Sequence, residues 1–230
     1  MSLTRRVLIV DDNSDFKEEQ ISAFDRIFSK IKKDSEENNK QLIDDCSIEY
    51  DWADNIDEGI KMLKSEEYIY DVILIDYDFT TDEKARKGVD LVIDIRKYIN
   101  KRCKIIFYTM RGLSDFDTSE FISLINNDVY RFVLKSGETF DLKYNKVGNK
   151  ADQVIVEAII DAINDYDPIC QTLEKFFIDY QNKIKEITVD GEEYSPNEII
   201  KSIRMDGEIG NEFINNTLKI SVLNSLKFLR

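Results

Sequence analysis

Three aspartates, a threonine and a lysine stand where apolar runs give out, and together they could carry phosphoryl chemistry. Asp11-Asp12 follow Val7-Leu8-Ile9-Val10. Asp76 follows Val72-Ile73-Leu74-Ile75, with Asp78 two residues on. Thr109 closes Lys104-Ile105-Ile106-Phe107-Tyr108, and Lys135 follows Val133-Leu134. Two carboxylates about 4 Å apart repel by roughly 4 kcal/mol at an effective dielectric near 20. Three at one edge therefore call for a cation, and a hard, oxygen-coordinated divalent ion such as Mg2+ suits them. Asp76 can then act as a nucleophile toward phosphorus and form an acyl phosphate. Lys135 would bind the phosphoryl oxygens and Thr109 would hydrogen-bond another. The bland alternative is an acidic turn after a core strand.

Composition narrows the chemistry. Histidine is absent, which removes imidazole bases, zinc–histidine sites and any role as a phosphohistidine donor. The formal charge of -14 argues against nucleic acid or an anionic membrane as partner. No apolar run approaches the roughly 18 residues of a membrane helix and no secretory leader is recognisable. Three widely spaced cysteines (Cys46, Cys103, Cys170) fit reduced thiols, so a cytoplasmic location is expected.

The elements that must position these residues alternate. Strands are expected over Arg5–Val10, Ser47–Ala53, Val72–Ile75, Cys103–Thr109 and Val129–Leu134. Ile48, Tyr50 and Trp52 fall on one face of the second. Helices are expected from Ser14, over Asn55–Glu67, Val89–Ile99 and Ser114–Asn126 (with Phe121, Leu124 and Ile125 inward), and after a polar loop from Ser136 to Lys150. Lys32–Asp45 reads as a solvated helix extension or an inserted loop. Five strand–helix alternations with right-handed crossovers make an α/β fold, a doubly wound five-stranded parallel sheet. In such sheets ligands bind at the carboxyl ends of the strands, where these polar residues stand.

Past Ala151 the spacing changes. Ile155, Ile159, Ala162, Tyr166, Ile169, Leu173, Phe176, Tyr180, Ile184 and Ile187 fall near heptad intervals, interrupted at Pro168. This is either an amphipathic helix on its own domain or a dimer seam. Ser195-Pro196-Asn197-Glu198 is a capping box opening a further helix. Residues 151–230 carry 15 Asp/Glu and 8 Lys/Arg, too few cations for a DNA-reading output. The expected division is 4–165 for the sheet domain and 166–230 for a helical interaction or dimerisation extension.

The ordered set Val-Asp-Asp, Leu-Ile-Asp, Phe-Tyr-Thr and Val-Leu-Lys, over roughly residues 4–165, resembles the receiver domain of two-component response regulators, the CheY-like family. The resemblance implies a phosphorelay protein phosphorylated on Asp76 by a histidine kinase or phosphotransfer protein. It implies Mg2+ on Asp12 and Asp76, with Asp11 acting largely through water and the Asp78 backbone carbonyl as a further ligand. It implies a switch pair, Thr109 and Phe132, with Tyr130 the weaker candidate, and output to a downstream protein or a self-dimer. No organic cofactor is implied, and no enzymatic activity beyond self-phosphorylation and dephosphorylation. The chain departs from the pattern at Ser136, where proline is usual. It departs also at Thr80, at Met110, which is expected to crowd the phosphoryl pocket, and in the length of the stretch from Asp76 to Gly88. These departures favour one rival, a pseudo-receiver acting through contacts alone. The second rival is a haloacid-dehalogenase-like phosphatase, from Asp76-Tyr77-Asp78-Phe79-Thr80. Its family places the acidic pair after the lysine, whereas here Asp11-Asp12 come first.

Overall fold

The computed structural model describes residues 3–37, 46–65, 68–80, 84–110, 112, 116–135, 151–180 and 183–227. The expectations on Ser114, Ser136–Lys150 and most of the acidic run at 82–84 lie outside them. The described chain divides into two units, one of Ser2–Ile99 with Cys103–Asp165, the other of Tyr166–Arg230 with Asn100–Arg102.

The first unit is built on a parallel sheet. β1 (Leu3–Val10) lies between β2 (Cys46–Ala53) and β3 (Val72–Asp76), followed by β4 (Lys104–Thr109) and β5 (Val129–Leu134). All four pairings are parallel. Uninterrupted aliphatic strands suit a sheet covered on both faces, and Val7–Val10 and Val72–Ile75 are fully buried. Alternation along each strand sorts the side chains into two cores. Val7, Ile9, Val72, Leu74, Ile106 and Tyr108 pack toward α1 (Lys17–Glu37) and α5 (Ala151–Asn164). Leu8, Val10, Ile73, Ile75, Ile105 and Phe107 pack toward α2 (Ile56–Lys64), α3 (Gly88–Asp94) and α4 (Thr118–Asn126). The order β2-β1-β3-β4-β5 reverses direction at β1, and the crevice between β1 and β3 at their carboxyl ends is the binding position of such sheets.

The second unit packs α6 (Pro168–Tyr180), a hairpin of β6 (Ile187–Val189) and β7 (Glu192–Tyr194), α7 (Pro196–Arg204) and α8 (Glu208–Lys227). Cys170, Phe177, Val189, Ile199 and Ile203 form its core. The capping box at Ser195 is made: Ser195 N donates to Glu198 Oε2 at 2.8 Å, and Glu198 N to Ser195 Oγ at 3.3 Å.

Several expectations are corrected. The heptad-like spacing is not one helix. α5 ends at Asn164, with Ile155, Ile159 and Ala162 buried in the sheet's own core. Asp167 then accepts from Ile169 N at 2.8 Å and starts α6, and Ile187 opens a strand. Asp-Pro thus serves as a helix start, and a hydrophobic run cannot tell two packed helices from one coil. Ile125 of α4 is exposed, because it shares a turn with Leu124 but not its side of the helix. Two expectations hold: the helix after Gly88 runs to Ile99, its end a π-turn over Ile95–Ile99, and the polar stretch from Lys32 extends α1 as far as Glu37, residues 38–45 lying outside the described ones.

Candidate functional site

Asp11, Asp12 and Asp76 each bring a carboxylate oxygen within 4.8 Å of the others. The strands impose this: β1 and β3 are neighbours in register, Val10 opposite Ile75, so the residues just past each end in the same crevice. Lys135, just past the end of β5, reaches back with Nζ 2.8 Å from Asp11 Oδ2 and 2.8 Å from Asp76 Oδ2. Its backbone N–H donates to the Thr109 carbonyl at 2.8 Å, which seats it beside β4. Three carboxylates and one ammonium leave two negative charges at full ionisation. The protein supplies one of the cations the cluster needs, and the remaining hard oxygen donors suit a divalent ion.

Each carboxylate is fixed by a different device. Asp11 Oδ1 accepts from Asn13 N at 2.9 Å, and Oδ2 from the Tyr108 hydroxyl at 2.6 Å. The turn it opens is pinned by Trp52, whose indole donates to the Asp11 carbonyl at 3.0 Å. Asp12 Oδ2 accepts from Thr80 twice, from N at 2.7 Å and from Oγ1 at 2.9 Å. Asp76 Oδ1 accepts from Tyr77 N at 2.7 Å. Asp78 lies half-buried in the loop leaving β3. Thr109 is buried. Phe132 packs on Phe107 at 6.0 Å and on Phe121 of α4 at 5.5 Å. Phe107 shares strand parity with Thr109, so Phe132 belongs to that face, whereas Tyr130 packs on the opposite core.

Sequence reasoning missed Tyr108, the bond from Thr80 and the part played by Trp52, which is buried. A tyrosine in an otherwise apolar strand carries a hydroxyl that must find a partner when buried, and that signal pointed to Tyr108. Met110 is corrected too: its side chain is 76% exposed, so it leaves the pocket and does not crowd it.

Burial dominates the electrostatics of Asp76 and raises its pKa to about 6, against the pull of Lys135. Burial alone would lower the Lys135 ammonium, but Asp76 and Asp11 carry it above its ordinary value. Desolvation, reinforced by Asp11, lifts the Tyr108 phenol well above 10, so it stays a donor. A carboxyl whose folded pKa is raised favours the folded state below its unfolded pKa and loses that contribution as pH rises through the folded value. Without metal, the wild-type protein is expected to lose about 2 kcal/mol relative to Asp76→Asn between pH 4 and 7. Urea midpoints in chelator across that range check this, and parallel curves would refute it. A divalent ion held by these carboxylates would compete with the same proton, so its affinity would fall below about pH 6.

Gly88 sets how closely α3 approaches Asp76. A Cβ there would run into the Asp76 carbonyl oxygen and lie 3.0 Å from Ile75 Cγ2, while Gly88 N donates to the Tyr77 carbonyl at 2.9 Å. Backbone cannot yield as a side chain tip does, so Gly88→Ala is expected to cost about 2 kcal/mol by urea unfolding.

No family model and no curated protein sequence matches this chain. Solved structures similar to it include a CheY-like response regulator receiver domain protein from Methanospirillum hungatei JF-1, 16% identical with a TM-score of 0.46, covering 71% of this chain and 96% of that one. Another is the N-terminal domain of a response regulator/sensory box/GGDEF 3-domain protein from Carboxydothermus hydrogenoformans, at 16% identity and TM-score 0.44, covering 70% and 94%. A third is a receiver protein from Pseudomonas putida, at 21% and 0.39, covering 59% and 88%. The strand order β2-β1-β3-β4-β5, with Asp11, Asp12, Asp76, Thr109 and Lys135 at strand ends of one sheet edge, gives the first unit a CheY-like fold that resembles response-regulator receiver domains.

Proposed function

We propose that the first unit is a phospho-acceptor in a phosphorelay and that the second carries the output. The observation that supports this most is Lys135 bridging Asp11 and Asp76 beside a third carboxylate on Asp12. Such a site can hold a tetrahedral anion on its ammonium once a divalent cation offsets the acids. Asp11, Asp12 and Asp76, with the Asp78 carbonyl, are the residues that would hold Mg2+, and the ion would neutralise charge on the phosphoryl oxygens when bound. An Asp76 carboxylate oxygen forms the new bond to phosphorus. The bond from phosphorus to the donor, an imidazole nitrogen of a histidine kinase or phosphotransfer protein, breaks with its electron pair leaving on the nitrogen. Lys135 and Thr109 hold the transferred group, and Thr109 with Phe132 relays its presence to α4. The chain has no other substrate in this reading and acts in the cytoplasm.

The test is intact mass after incubation with acetyl phosphate, with and without Mg2+, on wild type and Asp76→Ala. One phosphoryl adduct that needs both the ion and Asp76 is expected. A wild type that gains none would leave the pseudo-receiver reading. One observation favours that rival: the acids already have partners, Asp12 in Thr80 and the other two in Lys135. For the output, the acidic second unit fits a protein partner or a second copy of the chain rather than nucleic acid. Unchanged partner binding and oligomeric state after removal of residues 168–230 would defeat that assignment.

A further inference from the structure

Next to the acceptor stands a cluster that the phosphoryl chemistry does not use. Tyr77 is 1% exposed, yet its hydroxyl is not buried in apolar surroundings. It donates to Glu120 Oε2 at 2.7 Å and accepts from Lys87 Nζ at 2.9 Å. Lys87 closes the triangle on Glu120 Oε1 at 2.7 Å. Glu120 lies in the first turn of α4, and Lys87 is the cap of α3. The ring stands edge-on to Phe116 at 4.8 Å and to Phe107 at 6.1 Å, and Phe107 also carries Phe132. At its other end, Tyr77 N–H donates to Asp76 Oδ1 at 2.7 Å, and its carbonyl accepts from Gly88 N. One residue thus joins the acceptor carboxylate to the starts of α3 and α4.

We infer that Tyr77 is a positioning residue that ties the occupancy of Asp76 to the start of α4, through the Tyr77–Lys87–Glu120 clasp. The inference rests on the phospho-acceptor reading. With Asp76 unmodified, the Tyr77 N–H bond goes to an ionised carboxylate and is charge-assisted, about twice as strong as a neutral one. Once one carboxylate oxygen bears a phosphoryl group, the other is the carbonyl oxygen of a neutral acyl group and accepts more weakly. The Tyr77 peptide is then released, and because its ring is wedged between Phe107 and Phe116 the movement reaches the hydroxyl. The clasp loosens and the first turn of α4 gains freedom. This route is separate from Thr109 and meets Phe132 only at Phe107. Glu120 stays ionised in the clasp: burial would raise its pKa, but the bonds from Lys87 and Tyr77 outweigh it and lower the value.

The test is amide hydrogen exchange over residues 118–126 of the full chain. It is run with Mg2+ alone and with Mg2+ plus beryllium fluoride, a tetrahedral phosphoryl mimic whose binding is followed by fluorine NMR. In wild type the mimic is expected to speed exchange in the first turn of α4 by about tenfold, the worth of a hydrogen bond to a charged group. Tyr77→Phe and Glu120→Gln are expected to exchange that fast already over residues 118–120 and to respond no further in that turn while still binding the mimic, the response carried by Thr109 and Phe132 falling from Phe121 onward. Glu120 is partly exposed and its substitution is isosteric, so it serves if Tyr77→Phe fails to fold. A purely structural clasp would lower protection in the variants but leave their response to the mimic intact, and that result overturns the inference. So does bound mimic in wild type with α4 unchanged. A wild type that binds no mimic removes the acceptor reading first, and this inference with it.

Discussion

Asp71→Ala is expected to cost about 3–5 kcal/mol, a large part of the 5–15 kcal/mol that holds a typical domain folded. Asp71 is fully buried and so is Arg5, whose Nη1 lies 3.1 Å from Asp71 Oδ1. The other carboxylate oxygen accepts from Arg6 N at 3.0 Å. The backbone of Asp71 joins in, donating to the Arg6 carbonyl and accepting from Lys104 N. One residue thus ties the amino ends of β1, β3 and β4 together. Truncation removes a buried carboxylate from beside the Arg5 guanidinium and an acceptor from the Arg6 N–H, far costlier than losing a surface pair. Asp71→Asn keeps the acceptor and loses the charge, so it should cost about half as much. Urea unfolding with an unchanged slope is the measurement. A loss under about 1 kcal/mol for Asp71→Ala would show that water reaches the pair.

Lys135→Met is expected to split two properties that usually move together. On the proposed phospho-acceptor function, phosphoryl uptake from acetyl phosphate should slow by about 10²–10³-fold, the usual consequence of deleting a preorganised positive donor. Mg2+ binding should tighten, because the ammonium 2.8 Å from both Asp11 and Asp76 repels a second cation among the same oxygens. Trp52 is the single tryptophan, and its indole is bonded to the Asp11 carbonyl, so its fluorescence reports the metal titration whatever the rate of phosphoryl uptake. Weaker Mg2+ binding with undiminished uptake would show that Lys135 organises the site sterically rather than by charge.

The strand ends were legible in the sequence for a physical reason. Val7–Val10 and Val72–Ile75 can be satisfied only between two layers of helix, and a run of that kind ends where a polar residue first appears. Asp11, Asp76, Thr109 and Lys135 therefore announced both the sheet and the edge where they gather. The absence of histidine and the net charge of -14 set, without coordinates, which chemistries were open. The capping box at Ser195 was equally plain, since its bonds lie within four residues.

What the sequence could not decide was every contact made across distance. The partners of Tyr108, of Thr80 and of the Tyr77 hydroxyl lie 97, 68 and 43 positions away, and no local pattern encodes them. The exposure of Met110 depends on where the chain goes after β4, and the division of the apolar run between α5, α6 and β6 depends on which surface each segment meets. Periodicity records that a side chain will be buried; only the packed structure records against what. Local sequence therefore determined the strands and the acids at their carboxyl edge. Tertiary structure alone decided that Lys135 stands between two of those acids and that Tyr77 connects the third strand to α4, because both depend on strands brought side by side.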